Sequence, residues 1–232
     1  RLVGVKVDAD RRRLWVCAQE VDGLDNRVWV FDLASGEPVQ EYLLGALATG
    51  GNCNDLVLDR DGVAYVTDPL NPYIYRLDPV TETGSIFATD PLFVGIPGVA
   101  LGLNGIAFTA DGRALIVAKL AAQQLLRVSF PDAASIRALD LSGDVLPLPD
   151  GLVEFDGDIY SVSDSAVSRT RLNGDQTAGQ VRVTAQRSGL STATLAEGEF
   201  YAIKSEVLNF VLAAPLETPF EIFRVDLEAF GE

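Results

Sequence analysis

One unit recurs five times along this chain, and it limits the possible folds more than any other feature. A short, mostly apolar stretch comes first: Val3-Gly-Val-Lys-Val-Asp, Asn54-Asp-Leu-Val-Leu-Asp, Asn104-Gly-Ile-Ala-Phe-Thr, Asp150-Gly-Leu-Val-Glu-Phe and Thr192-Ala-Thr-Leu-Ala. A tight polar turn follows each, such as Asp61-Gly62, Asp111-Gly112 and Asp156-Gly157, where glycine supplies the positive φ that hairpins need. A second apolar stretch comes next (Leu14–Cys17, Ala64–Thr67, Leu115–Ala118, Ile159–Val162, Phe200–Ile203). A third begins near Val28, Ile74, Leu125, Ser168 and Phe220. Four repeats carry a fourth, near Val39, Gly84, Ser135 and Gln180. Asn54, Asn104, Asp150 and Thr192 are separated by 50, 46 and 42 residues. Four short strands every 40–50 residues predict an all-β fold, a β-propeller with four-stranded blades. A β-sandwich would not repeat one strand–turn–strand unit in this way.

The repeats divide one propeller domain, 1–232, at about 1–46, 47–95, 96–142, 143–187 and 188–232. The last repeat has three strands, and Arg1 opens directly into a first strand. A six-bladed ring with its N-terminal blade outside this chain is therefore expected, with a five-bladed ring as the alternative. The longest apolar run, from Pro91 to Phe108, is interrupted by Pro97, glycines and Asn104, which argues against a bilayer span. Thirty-three acidic residues against 18 basic ones make a net charge of −15, so nucleic acid and anionic membrane are poor partners. Arg11, Arg12 and Arg13, the one basic cluster, read as a solvated turn. The expected partner is a small-molecule substrate, and the expected state is monomeric. A periplasmic or secreted location is expected, although a cytoplasmic one fits the composition equally. Cys17 and Cys53 should lie on the same face of adjacent blades. A disulfide is possible there, but two separate buried thiols are the favoured expectation.

First strands of successive blades converge on one axis, so their starting residues ring one channel mouth. Asn54, Asn104 and Asp150 hold such positions, and their oxygens suit Ca²⁺ or Mg²⁺. The alternative is that they cap local turns. A second ring, at the ends of the second strands, reads Ala18, Asp68, Lys119, Asp164 and Lys204. Two of the three lysines fall there, so Asp68, Lys119, Asp164 and Lys204 are candidate substrate contacts, or ordinary charged strand ends. The chain has no histidine, which excludes within these residues a Ser-His-Asp triad, a Cys-His pair and His-ligated metal. The loops 21–27 and 207–219 depart most from the repeat, and at least one is expected to border the mouth.

Asn54-Asp55, Leu103-Asn104-Gly105-Ile106-Ala107-Phe108 with Asp111-Gly112, Pro149-Asp150-Gly151-Leu152 and the closing Pro219-Phe-Glu-Ile-Phe-Arg-Val follow one another at blade spacing. This order resembles the family of gluconolactonase, senescence marker protein and luciferin-regenerating enzyme. The resemblance implies one divalent metal in the central channel, most often calcium. Asn104 matches a ligand asparagine, Asp150 the ligand aspartate, and Asn54 an asparagine that binds metal or substrate. The family's ligand glutamate would lie upstream of Arg1. The implied chemistry is metal-assisted hydrolysis of a lactone or related ester. Asp150 is the catalytic candidate, with Asp68 or Asp164 as alternative general bases. Two other functions stay open. One is a binding propeller without turnover. The other is a metal-independent enzyme similar to strictosidine synthase, using a channel glutamate such as Glu20 or Glu206.

Overall fold

The computed structural model describes residues 2–20, 26–95, 101–183, 187–205, 215 and 220–227. Their strands form five sheets. The first holds β1 (Leu2–Asp8), β2 (Arg13–Ala18), β3 (Arg27–Asp32) and β4 (Pro38–Leu43). The second holds β5 (Leu56–Leu58), β6 (Ala64–Thr67), β7 (Tyr73–Asp78) and β8 (Thr83–Thr89). The third holds β9 (Leu103–Phe108), β10 (Ala114–Lys119), β11 (Gln124–Ser129) and β12 (Ile136–Ala138). These three are antiparallel meanders with consecutive strands as neighbours. The fourth adds an outer strand to the pattern, in the order β13 (Asp140–Gly143), β17 (Ala178–Val183), β16 (Val167–Leu172), β15 (Asp158–Val162), β14 (Leu152–Phe155). The fifth has three strands, β18 (Leu190–Ala196), β19 (Glu199–Lys204) and β20 (Glu221–Arg224).

The parallel pairing of β13 with β17 is absent from the sequence reading, which assigns no strand to residues 140–143. Asp140 to Gly143 align with Ala178 to Val181. The segment is short and largely exposed, with only Leu141 turned to the core, where it packs beside Leu172 and Val183. Such a strand has too little alternation to be seen in sequence. Its place is set by β17, whose outer edge would otherwise be unpaired.

Packing lies between the sheets. Trp15, Val28, Val30 and Tyr42 of the first blade meet Leu56, Val66, Tyr75 and Leu77 of the second. Val57 and Tyr65 on the second blade's other face meet Leu103, Ile106, Val117 and Leu126 of the third. The same arrangement joins the third blade to the fourth and the fourth to the fifth. An inner blade is therefore apolar on both faces, as in β10, where Ala114 to Ala118 are all buried. Each buried Val, Leu or Ile contributes about 1.5–3 kcal/mol. Between blades two and three, Tyr65 and Phe130 set their rings edge-on to Phe108, near Phe87.

One face has no such cover among the described residues. Gly4 abuts Asn54 and Asp55 of the second blade, so Val3, Val5 and Val7 point the other way. They are 36%, 52% and 55% exposed. The six-bladed expectation meets five blades here.

The expectation of separate thiols is corrected. Cys17, at the end of β2, and Cys53, just before β5, form a disulfide with a Cα–Cα distance of 6.0 Å. The pairing arises because Gln19 Nε2 donates to Cys53 O (2.6 Å) and Asn26 Nδ2 to Gly51 O (3.0 Å), drawing the two blades together at that point.

Candidate functional site

The innermost strands begin in register, and backbone bonds between blades define it. Gly105 N donates to Asp150 O (2.8 Å), and Gly151 N donates to Ser191 O (3.1 Å). The strands come so close that a Cβ at Gly105 would overlap Asp150 O and the backbone of Leu152, and a Cβ at Gly151 would press on Thr192. Gly4 meets Asn54 and Asp55 in the same way. Gly4, Gly105 and Gly151 are therefore equivalent positions, where only a hydrogen fits.

The second blade breaks this rule, placing Asp55 at the position of the glycines. Its N–H reaches Thr67 Oγ1 (3.2 Å), and that hydroxyl donates on to Asn104 O (2.7 Å). A hydroxyl thus spans the gap that the direct glycine-to-carbonyl bond closes elsewhere. The Asp55 carboxylate accepts from Leu56 N (2.8 Å) and Ile106 N (3.3 Å), tying β5 to β9. Burial pushes its carboxyl up, opposed by the charge of Lys6 on β1. Asp55 stands in the quoted motif, but the sequence reading gave it no role. The glycines at matching positions in three other repeats are the signal that this side chain is an exception.

The residue before each glycine-type position forms the ring: Val3, Asn54, Asn104, Asp150 and Ser191. Asn54 is half-buried and its N–H bonds Thr67 O (2.9 Å). Asn104 is 3% exposed, and its Oδ1 has no partner, although a buried acceptor left so costs about 1–3 kcal/mol. Its side chain bonds the Asp150 carboxylate. Burial, then the charge of Asp55, pushes the Asp150 carboxyl up to about 7, against the pull of the Asn104 hydrogen bond, while Asp164 adds to the rise. Asn104, Asp150, Asp55 and Asp164 thus share one electrostatic environment.

The second predicted ring is partly brought to this end. Lys119 closes β10 opposite Leu103, the neighbour of Asn104, and Lys204 closes β19 opposite Leu190, the neighbour of Ser191. Asp164 is half-buried, and its carbonyl accepts from Leu190 N (3.2 Å). Asp68 differs, being wholly buried. Its oxygens accept from Asn52 N, Leu70 N and Asn71 N at 2.9 Å each and from Tyr75 OH at 2.8 Å. They are engaged in holding the turn after β6. Glu20 is exposed. Glu206, the loop 207–219 apart from residue 215, and residues 21–25 lie outside the described residues.

Among the described residues, no three His, Cys, Asp or Glu side chains are grouped to hold a metal. Any cation at this mouth would rest on amide and hydroxyl oxygens around Asp150. That donor set is all oxygen, with an orphaned buried carbonyl in it, and it fits a hard cation such as Ca²⁺.

No protein-family model and no curated protein sequence matches the chain. Solved structures do. The major allergen Mala s 1 of Malassezia sympodialis superposes with a TM-score of 0.75 at 17% identity, over 100% of this chain and 79% of that one. Virginiamycin B lyase from Staphylococcus aureus does so at 0.64 and 15%, over 98% and 67%. A gluconolactonase from Xanthomonas campestris does so at 0.63 and 22%, over 88% and 69%. The chain is a β-propeller. Gluconolactonases and luciferin-regenerating enzyme are among its structural neighbours. At such identities the likeness shows the propeller's architecture, and its chemistry must be argued from the mouth itself.

Proposed function

We propose that this propeller is a hydrolase of a lactone or related ester, dependent on a divalent cation at the channel mouth. The carrying observation is the buried Oδ1 of Asn104, without a partner beside Asp150. Asn54, Asn104 and Asp150 would hold the cation, Ca²⁺ by preference for their oxygen chemistry. Bound there, it would polarise the ester carbonyl and ease deprotonation of a water. The chain's own groups divide the remaining work. Asp164, half-buried and near enough for its charge to raise the Asp150 carboxyl, takes the water proton in this proposal. Lys119 and Lys204, at the strand ends, hold the carbonyl or an anionic substituent. Asp55 is withdrawn from proton transfer by its bonds to β9 and keeps the strands in place. The lyase neighbour fits less well. Its quinupristin complex was obtained with a catalytically inactive histidine-to-alanine variant, and these 232 residues contain no histidine.

A binding propeller without turnover is the second reading, favoured by the single carboxylate in the ring Asn54–Asn104–Asp150–Ser191. Isothermal titration with CaCl₂ comes first, on wild type, Asp150→Ala and Asn104→Ala. Binding lost in both variants supports the site, and a lactone panel followed by acid release then separates hydrolase from binder. Calcium affinity unchanged in both variants would remove the metal reading.

Two further proposals concern the whole protein. The disulfide supports a periplasmic or secreted location, where such bonds persist, for a monomer acting on a small molecule. A sixth blade seated on Val3, Val5 and Val7 would explain their alignment on one face. Val5→Lys and Val7→Lys should then leave this chain's stability within about 0.5 kcal/mol and destabilise a longer chain carrying that blade. Equal tolerance in both would count against a sixth blade.

A further inference from the structure

Ser191 stands in the ring without a chemical role, and three observations point to one. First, Gly151 N donates to Ser191 O as Gly105 N donates to Asp150 O, so Ser191 follows Asp150 around the channel as Asp150 follows Asn104. Second, the backbone of the preceding residue is anchored at the mouth. Leu190 N donates to Asp164 O (3.2 Å), and the charge of Asp164 is felt by Asp150. Third, Ser191 is only 9% exposed, a strong degree of burial for a polar residue on an innermost strand. Its Oγ accepts the hydroxyl of Ser205 at 2.6 Å, and Ser205 is itself fixed by its N–H to Gly189 O (2.9 Å).

We infer that Ser191 supplies the fourth oxygen of the ring, a neutral hydroxyl ligand beside Asp150, held in place by Ser205. This rests on the cation reading above and adds a residue to it. The chemistry suits the position. A serine oxygen is a hard donor, and accepting from Ser205 uses one lone pair and leaves the other available. The ring would then offer two amides, one carboxylate and one hydroxyl. Such a low-charge set belongs to the weaker range of calcium affinity, because ligand charge tunes the dissociation constant.

The test uses Ca²⁺ itself as probe, read by isothermal titration and by the calcium-induced rise in melting temperature. Ser191→Ala should weaken binding about five- to tenfold. Ser191→Asp should tighten it by about tenfold or more, by adding a second carboxylate next to Asp150. Thr194→Asp, an exposed position on the same strand, carries the same added charge away from the mouth and should change affinity less than twofold. Melting curves without calcium show that each variant folds. Ser191→Asp behaving like Thr194→Asp, in a chain whose binding still depends on Asp150, overturns the role of Ser191 and leaves the cation reading standing. Binding absent from wild type but present in Ser191→Asp supports the ring position. Binding absent from both removes the cation reading together with this one.

Discussion

Asp150 has its largest measurable consequence in the pH dependence of stability. Its carboxyl stands at about 7 in the folded chain, against about 3.9 in an unfolded one. Between those values the folded state keeps a proton that the unfolded state has released. Stability is therefore fully present below about pH 4, falls as pH rises toward 7, and stays low above that. The slope approaches about 1.4 kcal/mol per pH unit. Asp55, raised by burial, acts with the same sign. Asp32, Asp78, Asp111 and Asp175 are all lowered, so their contribution is lost only as pH falls below the usual carboxylate range, outside this window. In EDTA, the melting temperature should drop from pH 5 to pH 8, and Asp150→Asn should flatten the curve and be the more stable chain at pH 8. A wild-type curve that rises over that range would contradict the assignment. Added Ca²⁺ should restore stability at pH 8, because a cation favours the ionised form. The sequence makes Asn104 and Asp150 visible as a pair of polar strand starts. It could not show that they bond each other or that Asn104 Oδ1 is left unpartnered, because both depend on where a neighbouring blade sits.

At the scale of strands, glycine decides how closely two blades approach. Gly105→Ala should cost about 1–3 kcal/mol or more, since the new methyl group meets backbone and not a yielding side chain. Gly174→Ala, with open space around it, should stay within about 0.5 kcal/mol. Urea denaturation of the two variants measures both, and equal midpoints would dismiss the close-approach account. The sequence pattern located every innermost strand, because alternating apolar residues and Asp-Gly turns are local signals. β13 went unseen for the opposite reason: Asp140–Gly143 has no pattern of its own and is a strand only because β17 offers it an edge. Asp68 teaches the same lesson at a strand end. From sequence it is a charge at the mouth, yet with five donors around it in space it holds a turn.

Among the described residues the apolar clusters join each blade to its neighbour, so each joint is a separate element of stability. The joint between the first two blades carries a covalent tie, closing a loop with a sequence separation of 36. Replacing Cys17 and Cys53 together with alanine should lower stability by about 3–4 kcal/mol, by the loop-closure account. A denaturation midpoint unmoved by reductant or by the double variant would show that the tie adds nothing. The recurring unit determined the fold class, the place of the repeated strands and the end of the ring where polar strand starts collect, because hydrophobic alternation and turn chemistry act over a few residues. Contacts between residues some 35–50 apart were decided only in three dimensions. Those contacts are the pairing of Cys17 with Cys53, the carboxylate of Asp55 between β5 and β9, and the joining of Asn104, Asp150 and Ser191 into one rim. The physical reason is that burial and hydrogen bonding set the charge and bonding state of these groups, and both depend on the neighbouring blade.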